Sequence, residues 1–236
     1  MSETIDIAVG ADATGPLFEL NAAGHSATGI AAAVREIARS HLAPTWVDHP
    51  DQAQGDLDQA MRSIGLEAQR DLWKLEVNLP PVGGFEAAEG LDIRAFRVGN
   101  DEAEWVGVNN RAFAWHREQG GWTVEQVSQR EAEPWFDPEG FLIHEVDGAI
   151  AGFCWTKIHD DETPPAGEIY VIGVDPAHHG KGLGRAMTVA GLRSIQSRGY
   201  DRAILYVDAD NTPAAKLYES LGFTTETVRR LYVPIG

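Results

Sequence analysis

The segment from Glu168 to Ala186, EIYVIGVDPAHHGKGLGRA, constrains the fold more than any other part of the chain. Its apolar, β-branched run at Ile169–Val174 predicts a buried strand that ends at the following Asp-Pro pair. Three glycines come next, just before a predicted helix: Gly180, Gly182 and Gly184. Glycine lets the backbone approach a ligand closely, and the unpaired N–H groups of a first helical turn attract an anion. The segment therefore predicts a strand–turn–helix unit that holds a phosphorylated cofactor.

Composition limits the class of protein. The chain has 236 residues, 43% hydrophobic and 23% charged, as in an ordinary water-soluble globular protein. A formal net charge of −17 argues against nucleic-acid binding, which depends on Lys and Arg neutralising phosphates. The single cysteine, Cys154, excludes an internal disulfide and fits a reducing, cytoplasmic location. Because Cys154 lies in an apolar predicted strand, we expect a core side chain rather than a nucleophile. We expect neither a membrane helix nor a signal peptide, because no apolar run is long enough and the N-terminus is acidic.

The chain divides at a stretch rich in proline and glycine, residues 80–84. We predict a first part at 1–80, a linker at 81–90 and a second part at 91–236. In the second part the patterns predict the order β-α-α-β-β-β-α-β-α-β, with a helix-capping box at Thr123–Gln126 and a hairpin turn at Asp147–Gly148. That order predicts a mixed α/β sheet.

The first part looks like a shortened copy of the later half of that order. Pro44–Asp48 is similar to Leu205–Asp208, and Met61–Leu66 is similar to Tyr218–Phe223. Chance similarity between amphipathic segments remains an alternative. Because the glycine cluster is lost here, we expect this part to support the structure rather than bind phosphate.

Three motifs follow one another in the second part: HGKGLG at 179–184, Asn211 with the Pro-Ala-Ala run at 213–215, and LYESLGF at 217–223. Together they resemble the GCN5-related N-acetyltransferases (GNAT), whose glycine turn reads Q/R-x-x-G-x-G/A. Walker and Rossmann sites are excluded, because their glycine patterns are absent. His179 stands where the family has Gln or Arg, and a neutral imidazole can still donate one hydrogen bond to phosphate.

This resemblance implies the GNAT acyl-CoA N-acyltransferase fold, acetyl-CoA as co-substrate, no metal, and transfer of an acetyl group to a primary amine. Glu168 would be the general base, through a water or with its pKa raised by burial, and Tyr218 the general acid. A solvated carboxylate and a core aromatic are the structural alternatives for these two residues. The implied cofactor-binding residues are Ile172, Gly173, Val174, His179, Gly180, Lys181, Gly182, Leu183, Gly184, Arg185, Asn211, Thr212, Pro213, Ala214, Ala215 and Lys216.

Further segments, among them Trp155–His159 and Gly167–Val171, resemble a narrower group of the family with two tandem domains, of which only the second is catalytic. This implies that residues 1–80 are a truncated, degenerate GNAT-like half-domain. It also implies a small-molecule acceptor, the cysteinyl amine of cysteinyl-glucosaminyl-inositol, with no nucleic-acid or membrane partner. The implied acceptor contacts are Glu118, Lys157, Glu168 and Tyr206.

Two other functions stay open at this point: an acetyltransferase for another amine, such as a protein N-terminus or an antibiotic, and a CoA-binding protein without turnover. The tryptophans leave a similar choice. Five of the seven fall between residues 105 and 155, where they can form a sugar pocket or fill the core.

Overall fold

The computed structural model describes residues 7–12, 15–21, 24–37, 42–49, 55–116 and 119–236. The chain forms two compact units, each built from separate segments. Unit 1 comprises Met1–Leu75, Tyr206–Lys216 and Thr224–Gly236, and unit 2 comprises Glu76–Leu205 and Leu217–Phe223.

The described strands are β1 (Ile7–Asp12), β2 (Gly15–Asn21), β3 (Thr45–His49), β4 (Leu66–Asn78), β5 (Ile93–Ala95), β6 (Phe141–Val146), β7 (Ala149–His159), β8 (Ala166–Val174), β9 (Arg202–Asp208) and β10 (Thr224–Pro234). The described helices are α1 (Ala27–Ile37), α2 (Gly55–Ser63), α3 (Glu102–Ala112), α4 (Val124–Glu131), α5 (Leu183–Ser197) and α6 (Thr212–Ser220). Single 3₁₀ turns lie at Glu86–Ala88, Pro138–Gly140 and Pro176–His178.

The mixed α/β sheet and the element order predicted for residues 91–236 are confirmed. Both local turn predictions also hold. Asp147 and Gly148 adopt positive φ angles of 52° and 78°, as a tight hairpin turn requires. Thr123 and Gln126 form a complete capping box at the start of α4.

Unit 1 contains a sheet in the order β1-β2-β3-β10-β4. Its core consists of apolar side chains of α1 and α2 packed on β2 and β3, including Ile30, Met61 and Val47. Strand β2 is missing from the sequence prediction. It pairs antiparallel with the neighbouring β1, with Ala8 opposite Glu19, and parallel with β3, with Phe18 opposite Thr45. Its sequence begins with Gly-Pro, a pair typical of turns, which hides the strand pattern.

Unit 2 contains a sheet in the order β9-β8-β7-β6-β5, in which β8 and β9 are parallel and the other pairs are antiparallel. Successive residues of β7 point to opposite faces. Helix α5 covers the Cys154 face and approaches so closely that a Cβ on Gly191 would lie 2.4 Å from the Cys154 sulfur. Helix α3 covers the other face, where Trp105 packs edge-on against Trp155.

Candidate active site

Among the residues that the structure describes, no strand pairs with one edge of β8 over the second half of its length. Along the described residues of β8, pairing with β7 continues to Val174, whereas pairing with β9 covers only Gly167–Ile169. The Asp175 N–H donates to the Ala151 carbonyl at 2.9 Å, so the opposed pair Gly152 and Val174 is of the non-hydrogen-bonded kind. The backbone N–H of Val174, and by alternation that of Ile172, therefore point away from β7 toward the unpaired edge. An extended amide-bearing ligand can pair there as an additional strand.

Gly173 lies between these two residues, and its lack of a side chain has a packing reason. A Cβ at this position would lie 2.7 Å from the Phe153 ring. The glycine therefore leaves room for the Phe153 ring of the opposing strand.

The glycine turn forms an open cradle of main-chain amides, which we call the glycine cradle (residues 179–185). Gly180 and Gly182 have φ angles of 77° and 78°, a left-handed conformation that favours glycine. Gly182 is the N-cap of α5 and offers no side-chain hydrogen bond to the helix, so the first-turn N–H groups can receive an anion. A Cβ on Gly180, Gly182 or Gly184 would meet nothing within 4 Å. The cradle therefore fits a diphosphate.

Cationic side chains flank the glycine cradle. Lys181 is exposed, and Arg185 donates to the Ser220 hydroxyl at 2.7 Å, which ties α5 to the end of α6. The Nε2 atom of His179 lies 3.0 Å from the Val174 carbonyl oxygen. Because a carbonyl only accepts, Nε2 carries a hydrogen, and a neutral ring then has only an acceptor nitrogen left. The neutral side chain therefore closes the loop onto β8, and donation to phosphate requires the charged ring.

Glu168 is a buried carboxylate on β8, with only 7% of its surface exposed. It lies directly opposite Lys157 on β7, so the two side chains leave the same face of the sheet. The Lys157 ammonium lies 4.8 Å from the centroid of the Trp135 ring and 6.0 Å from that of Tyr170. The buried Glu168 carboxylate and the Lys157 ammonium, which lies over two aromatic rings, thus occupy the same face of the sheet in unit 2.

His159 completes this group, and the sequence predictions do not include it. Its Nε2 atom lies 2.6 Å from Glu168 Oε2. A pattern points to it in retrospect, since it lies two residues beyond Lys157 on the same strand and therefore on the same face.

Tyr218 is buried in unit 2, with 7% of its surface exposed and its ring tilted against Phe223 at 5.6 Å between centroids. Burial, with a smaller effect of Cys154, raises the pKa of the Tyr218 phenol far above its ordinary value. Burial likewise raises the pKa of the Cys154 thiol to about 12. Both groups therefore stay neutral at physiological pH, and Tyr218 is a hydrogen-bond donor rather than an anion.

The predicted cofactor contacts at 211–216 and the predicted acceptor contact Tyr206 belong to unit 1. Asn211 precedes α6, where its side-chain oxygen accepts from the Ala214 N–H at 3.3 Å, with Pro213 in the first turn. Tyr206 is 42% exposed and lines a polar cavity of about 300 Å³ with Asp48 and Lys74, among others.

Glu118 lies outside the described residues, but the segment that follows it is held to α3. The Asn109 side chain donates to the Gln119 carbonyl at 2.7 Å, and the Asn110 side chain donates to the Trp122 carbonyl at 2.9 Å.

The tryptophans mainly fill the core of unit 2. Trp105 and Trp155 are fully buried, and Trp122 and Trp135 pack partly buried against them. Trp115 is 58% exposed. Among the residues described by the structure, no helix is long and apolar enough to cross a membrane. Across those same ranges, no three His, Cys, Asp or Glu residues form a group that could hold a metal ion.

Known proteins give this geometry a family context. The model of the acetyltransferase (GNAT) family matches residues 109–223. A mycothiol acetyltransferase of Thermobispora bispora is 49% identical over 187 residues, which cover 76% of this chain and 63% of that protein. A mycothiol acetyltransferase of Nocardia farcinica is 41% identical over 208 residues, covering 85% of this chain and 69% of that protein. The chain thus spans less than two thirds of the first relative and slightly more than two thirds of the second.

A solved structure supports the fold. The crystal structure of a GCN5-related N-acetyltransferase from Sphaerobacter thermophilus aligns with a TM-score of 0.68 over 97% of this chain and 75% of its own, at 24% identity. The predicted GNAT fold is thereby confirmed. With the relatives above, it shows that this chain belongs to the acetyltransferase (GNAT) family.

Proposed function

We propose that this chain transfers the acetyl group of acetyl-CoA to the cysteinyl amine of cysteinyl-glucosaminyl-inositol (desacetylmycothiol), which gives mycothiol. The observation that carries the acetyl-transfer part is the continuity of the β8 unpaired edge with the glycine cradle, beside the buried Glu168. The choice of acceptor rests on the two mycothiol acetyltransferases described above. The proposed reaction uses a small-molecule amine in the cytoplasm and requires no metal, nucleic acid or membrane.

The donor would be held by main-chain groups. Acetyl-CoA supplies a thioester that an amine can attack. In our proposal its diphosphate is bound by the glycine cradle and its amide-bearing arm by Ile172 and Val174, with Asn211–Lys216 as further contacts. The outward N–H of Val174 is placed to stabilise developing charge on the acetyl oxygen.

The amine must lose a proton before it attacks. Glu168 would accept that proton, directly or through a water, because its burial beside Lys157 and His159 gives it a fixed position. Tyr218 would donate a hydrogen bond to the leaving sulfur. Burial keeps the Tyr218 phenol neutral, so it retains the hydrogen that it donates. The same burial disfavours a thiolate that has no hydrogen-bond donor beside it.

The acceptor would meet Glu118, Lys157, Glu168 and Tyr206. Carboxylates suit an ammonium, and the lysine and phenol suit sugar or inositol hydroxyls. We also propose that residues 1–80 are a degenerate GNAT-like half-domain joined through residues 81–90 to the catalytic domain at 91–236.

An acetyl-CoA assay with a panel of amines tests the proposal. We expect release of free CoA with desacetylmycothiol, and a loss of about 100-fold or more in kcat for Glu168→Gln. Glu139→Gln, a change on an exposed turn, is the matched control and should leave kcat unchanged. Release of free CoA only with a peptide or an antibiotic amine would show that the acceptor is that amine and not desacetylmycothiol. No release of CoA with any amine would favour a CoA-binding protein without turnover. Full turnover by Glu168→Gln would refute the role of Glu168 as the general base.

A further inference from the structure

We propose that Trp135 is a positioning residue that holds the Lys157 ammonium away from Glu168. This inference rests on the proposed function, because it takes Glu168 as the base and Lys157 as an acceptor contact. It adds the residue that keeps these two opposite charges apart, so that the carboxylate stays available to the amine of the acceptor.

Lys157 and Glu168 have the positions of an ion pair but do not form one. They lie directly opposite each other on neighbouring strands, where Cβ atoms are about 4.5–5.5 Å apart and opposite charges attract. Within the described residues, however, no carboxylate oxygen lies within 4.0 Å of the Lys157 ammonium. The Glu168 carboxylate instead accepts a hydrogen bond from His159 Nε2, at 2.6 Å from Oε2. A group other than its cross-strand partner must therefore fix the position of the lysine.

Two aromatic rings account for the position of the ammonium. Its nitrogen lies 4.8 Å from the centroid of the Trp135 ring and 6.0 Å from that of Tyr170, within the range of cation–π attraction. Tryptophan is the strongest partner of a cation among the aromatic side chains. Because the Trp135 distance is also the shorter one, Trp135 contributes the larger part of this attraction.

Trp135 is itself held in place by its surroundings. Its ring packs edge-on at 5.1 Å against Tyr170 and tilted at 5.8 Å against Trp155, which is fully buried. A backbone hydrogen bond of 3.0 Å from the Phe136 N–H to the Glu133 carbonyl closes the turn that carries it. The ring is thus a fixed surface on which the lysine side chain rests.

A β-bulge in β8 brings these groups together. The pairing of β7 with β8 passes over Tyr170, which is the extra residue of the bulge. Bulges re-aim side chains, and here the Tyr170 ring packs on Trp135 and lies beside the Lys157 ammonium. The same one-residue shift places Lys157 rather than Ile158 opposite Glu168. One local irregularity therefore creates both the opposed charges and the second ring that helps to separate them.

The separation matters for activation of the acceptor amine. An ammonium paired with Glu168 would occupy its lone pairs and stabilise its charged form, which makes it a weaker base. It would also repel the positively charged amine of the acceptor. With Lys157 over the rings, Glu168 Oε1 accepts no hydrogen bond from a described residue and can receive the acceptor proton. The lysine meanwhile keeps its N–H groups for the acceptor hydroxyls.

Trp135→Leu removes the ring and lets the ammonium reach Glu168. We expect kcat to fall about 10-fold and the KM for the acceptor to rise, while the KM for acetyl-CoA changes by less than about twofold. Trp135→Phe keeps an aromatic face and should stay within about threefold of the wild type. Phe136→Leu is the matched control. It removes a ring of the same turn that packs on Trp155 at 5.7 Å and is not one of the two rings beside the ammonium. This control should lose stability in thermal melts and keep its kcat.

Removal of the lysine charge separates positioning from packing. If Trp135→Leu is slow because Lys157 reaches Glu168, adding Lys157→Met must raise kcat at saturating acceptor by at least about fivefold. The KM for the acceptor should stay high in the double variant, because the lysine contact is lost. No recovery of kcat in the double variant, or wild-type kcat in Trp135→Leu, would overturn the proposal.

NMR of the wild-type protein gives a check that needs neither turnover nor a folded variant. The ring current of Trp135 should place the ε-methylene protons of Lys157 upfield of those of Lys181, whose side chain is exposed. Phe136→Leu should keep this displacement and Trp135→Leu should lose it, and its absence in the wild type would overturn the proposal. A wild-type protein that transfers no acetyl group would instead overturn the proposed function, and the methylene protons would still decide whether Trp135 holds the lysine.

Discussion

Arg111 and Asp175 form an ion pair that joins helix α3 to the turn ahead of the glycine cradle. Both Nε and Nη2 of the guanidinium donate to Asp175 Oδ2, at 2.9 and 2.5 Å. The other carboxylate oxygen accepts from the Ala177 N–H at 2.9 Å and so caps the 3₁₀ turn at Pro176–His178. Although burial opposes it, hydrogen bonds from Ala177 and Arg111 keep the pKa of Asp175 below its ordinary value. The pair therefore fixes the entry to the cradle.

Arg111→Met tests this role. The variant keeps much of the side-chain length but removes the charge, so we expect CoA to bind about fivefold more weakly as the turn loosens, a loss of about 1 kcal/mol. Isothermal titration calorimetry with CoA measures it. Arg97→Met is the control. The Arg97 side chain also forms an ion pair with a buried aspartate, Asp101, and its exposed fraction of 58% is close to the 57% of the Arg111 side chain. Equal CoA affinity in the two variants would show that the Arg111 pair does not order the cradle.

Gly182→Ala tests the backbone of the cradle. At a φ of 78° a Cβ is strained by about 1–2 kcal/mol, although the space around it is open. We expect a comparable loss of stability and at least about tenfold weaker CoA binding, because strain relief turns the amides away from the diphosphate. Gly199→Ala carries the same kind of strain, at a φ of 93° beyond the other end of α5. It should lose stability in thermal melts and keep its CoA affinity, and a parallel loss of affinity would contradict the cradle.

Tyr218→Phe tests the donor to the leaving group. We expect kcat to fall about 10- to 100-fold while the KM for acetyl-CoA stays nearly constant, because only the hydroxyl is removed. Stability should change by no more than about 1 kcal/mol, since the ring still packs on Phe223. Tyr200→Phe, which removes an exposed hydroxyl bonded to Asp160 at 2.7 Å, is the control in the same steady-state assay. Unchanged kcat in Tyr218→Phe would leave this tyrosine a core aromatic.

Local patterns were sufficient to predict much of unit 2. The Asp147–Gly148 turn and the Thr123 capping box depend on residues within three positions of each other, so the sequence specifies them directly. Strand β2 escaped prediction because it begins with Gly-Pro, a pair typical of turns, whereas its pairing with β1 and β3 is a property of the folded sheet.

The site shows where sequence reasoning stops. The contact between His159 and Glu168 depends on a one-residue shift at the β-bulge, and a shift of that size changes which side chains face each other. His179 was predicted to donate to phosphate, yet its Nε2 is engaged by the Val174 carbonyl. That contact follows from the path of the turn, which residue types alone do not determine.

Glu131, at the end of α4, predicts a pH dependence of stability that is unrelated to catalysis. Its Oε1 is buried without a hydrogen-bond partner in the described part of the chain. Burial, and then the negative charge of Glu102 and a hydrogen bond with it, raise the pKa of Glu131 to about 7. A carboxyl whose pKa is raised on folding stabilises the protein while it is protonated in the folded state. That contribution is complete below the unfolded pKa of about 4.3 and is lost as the pH rises through about 7.

Glu131→Gln should therefore stabilise the protein above pH 7. An amide keeps the neutral shape at every pH, so we expect a gain of about 1–2 kcal/mol at pH 8, allowing for solvent screening, and almost none at pH 4.5. Urea unfolding at both pH values measures the difference. Asp101→Asn should change the free energy of unfolding at pH 8 in the opposite direction. Despite burial, hydrogen bonds from Arg97 and Arg94 lower the pKa of Asp101 to about 2, so this variant should be destabilised at pH 8. A Glu131→Gln gain that is equal at both pH values would mean that the carboxyl is not protonated in the folded state.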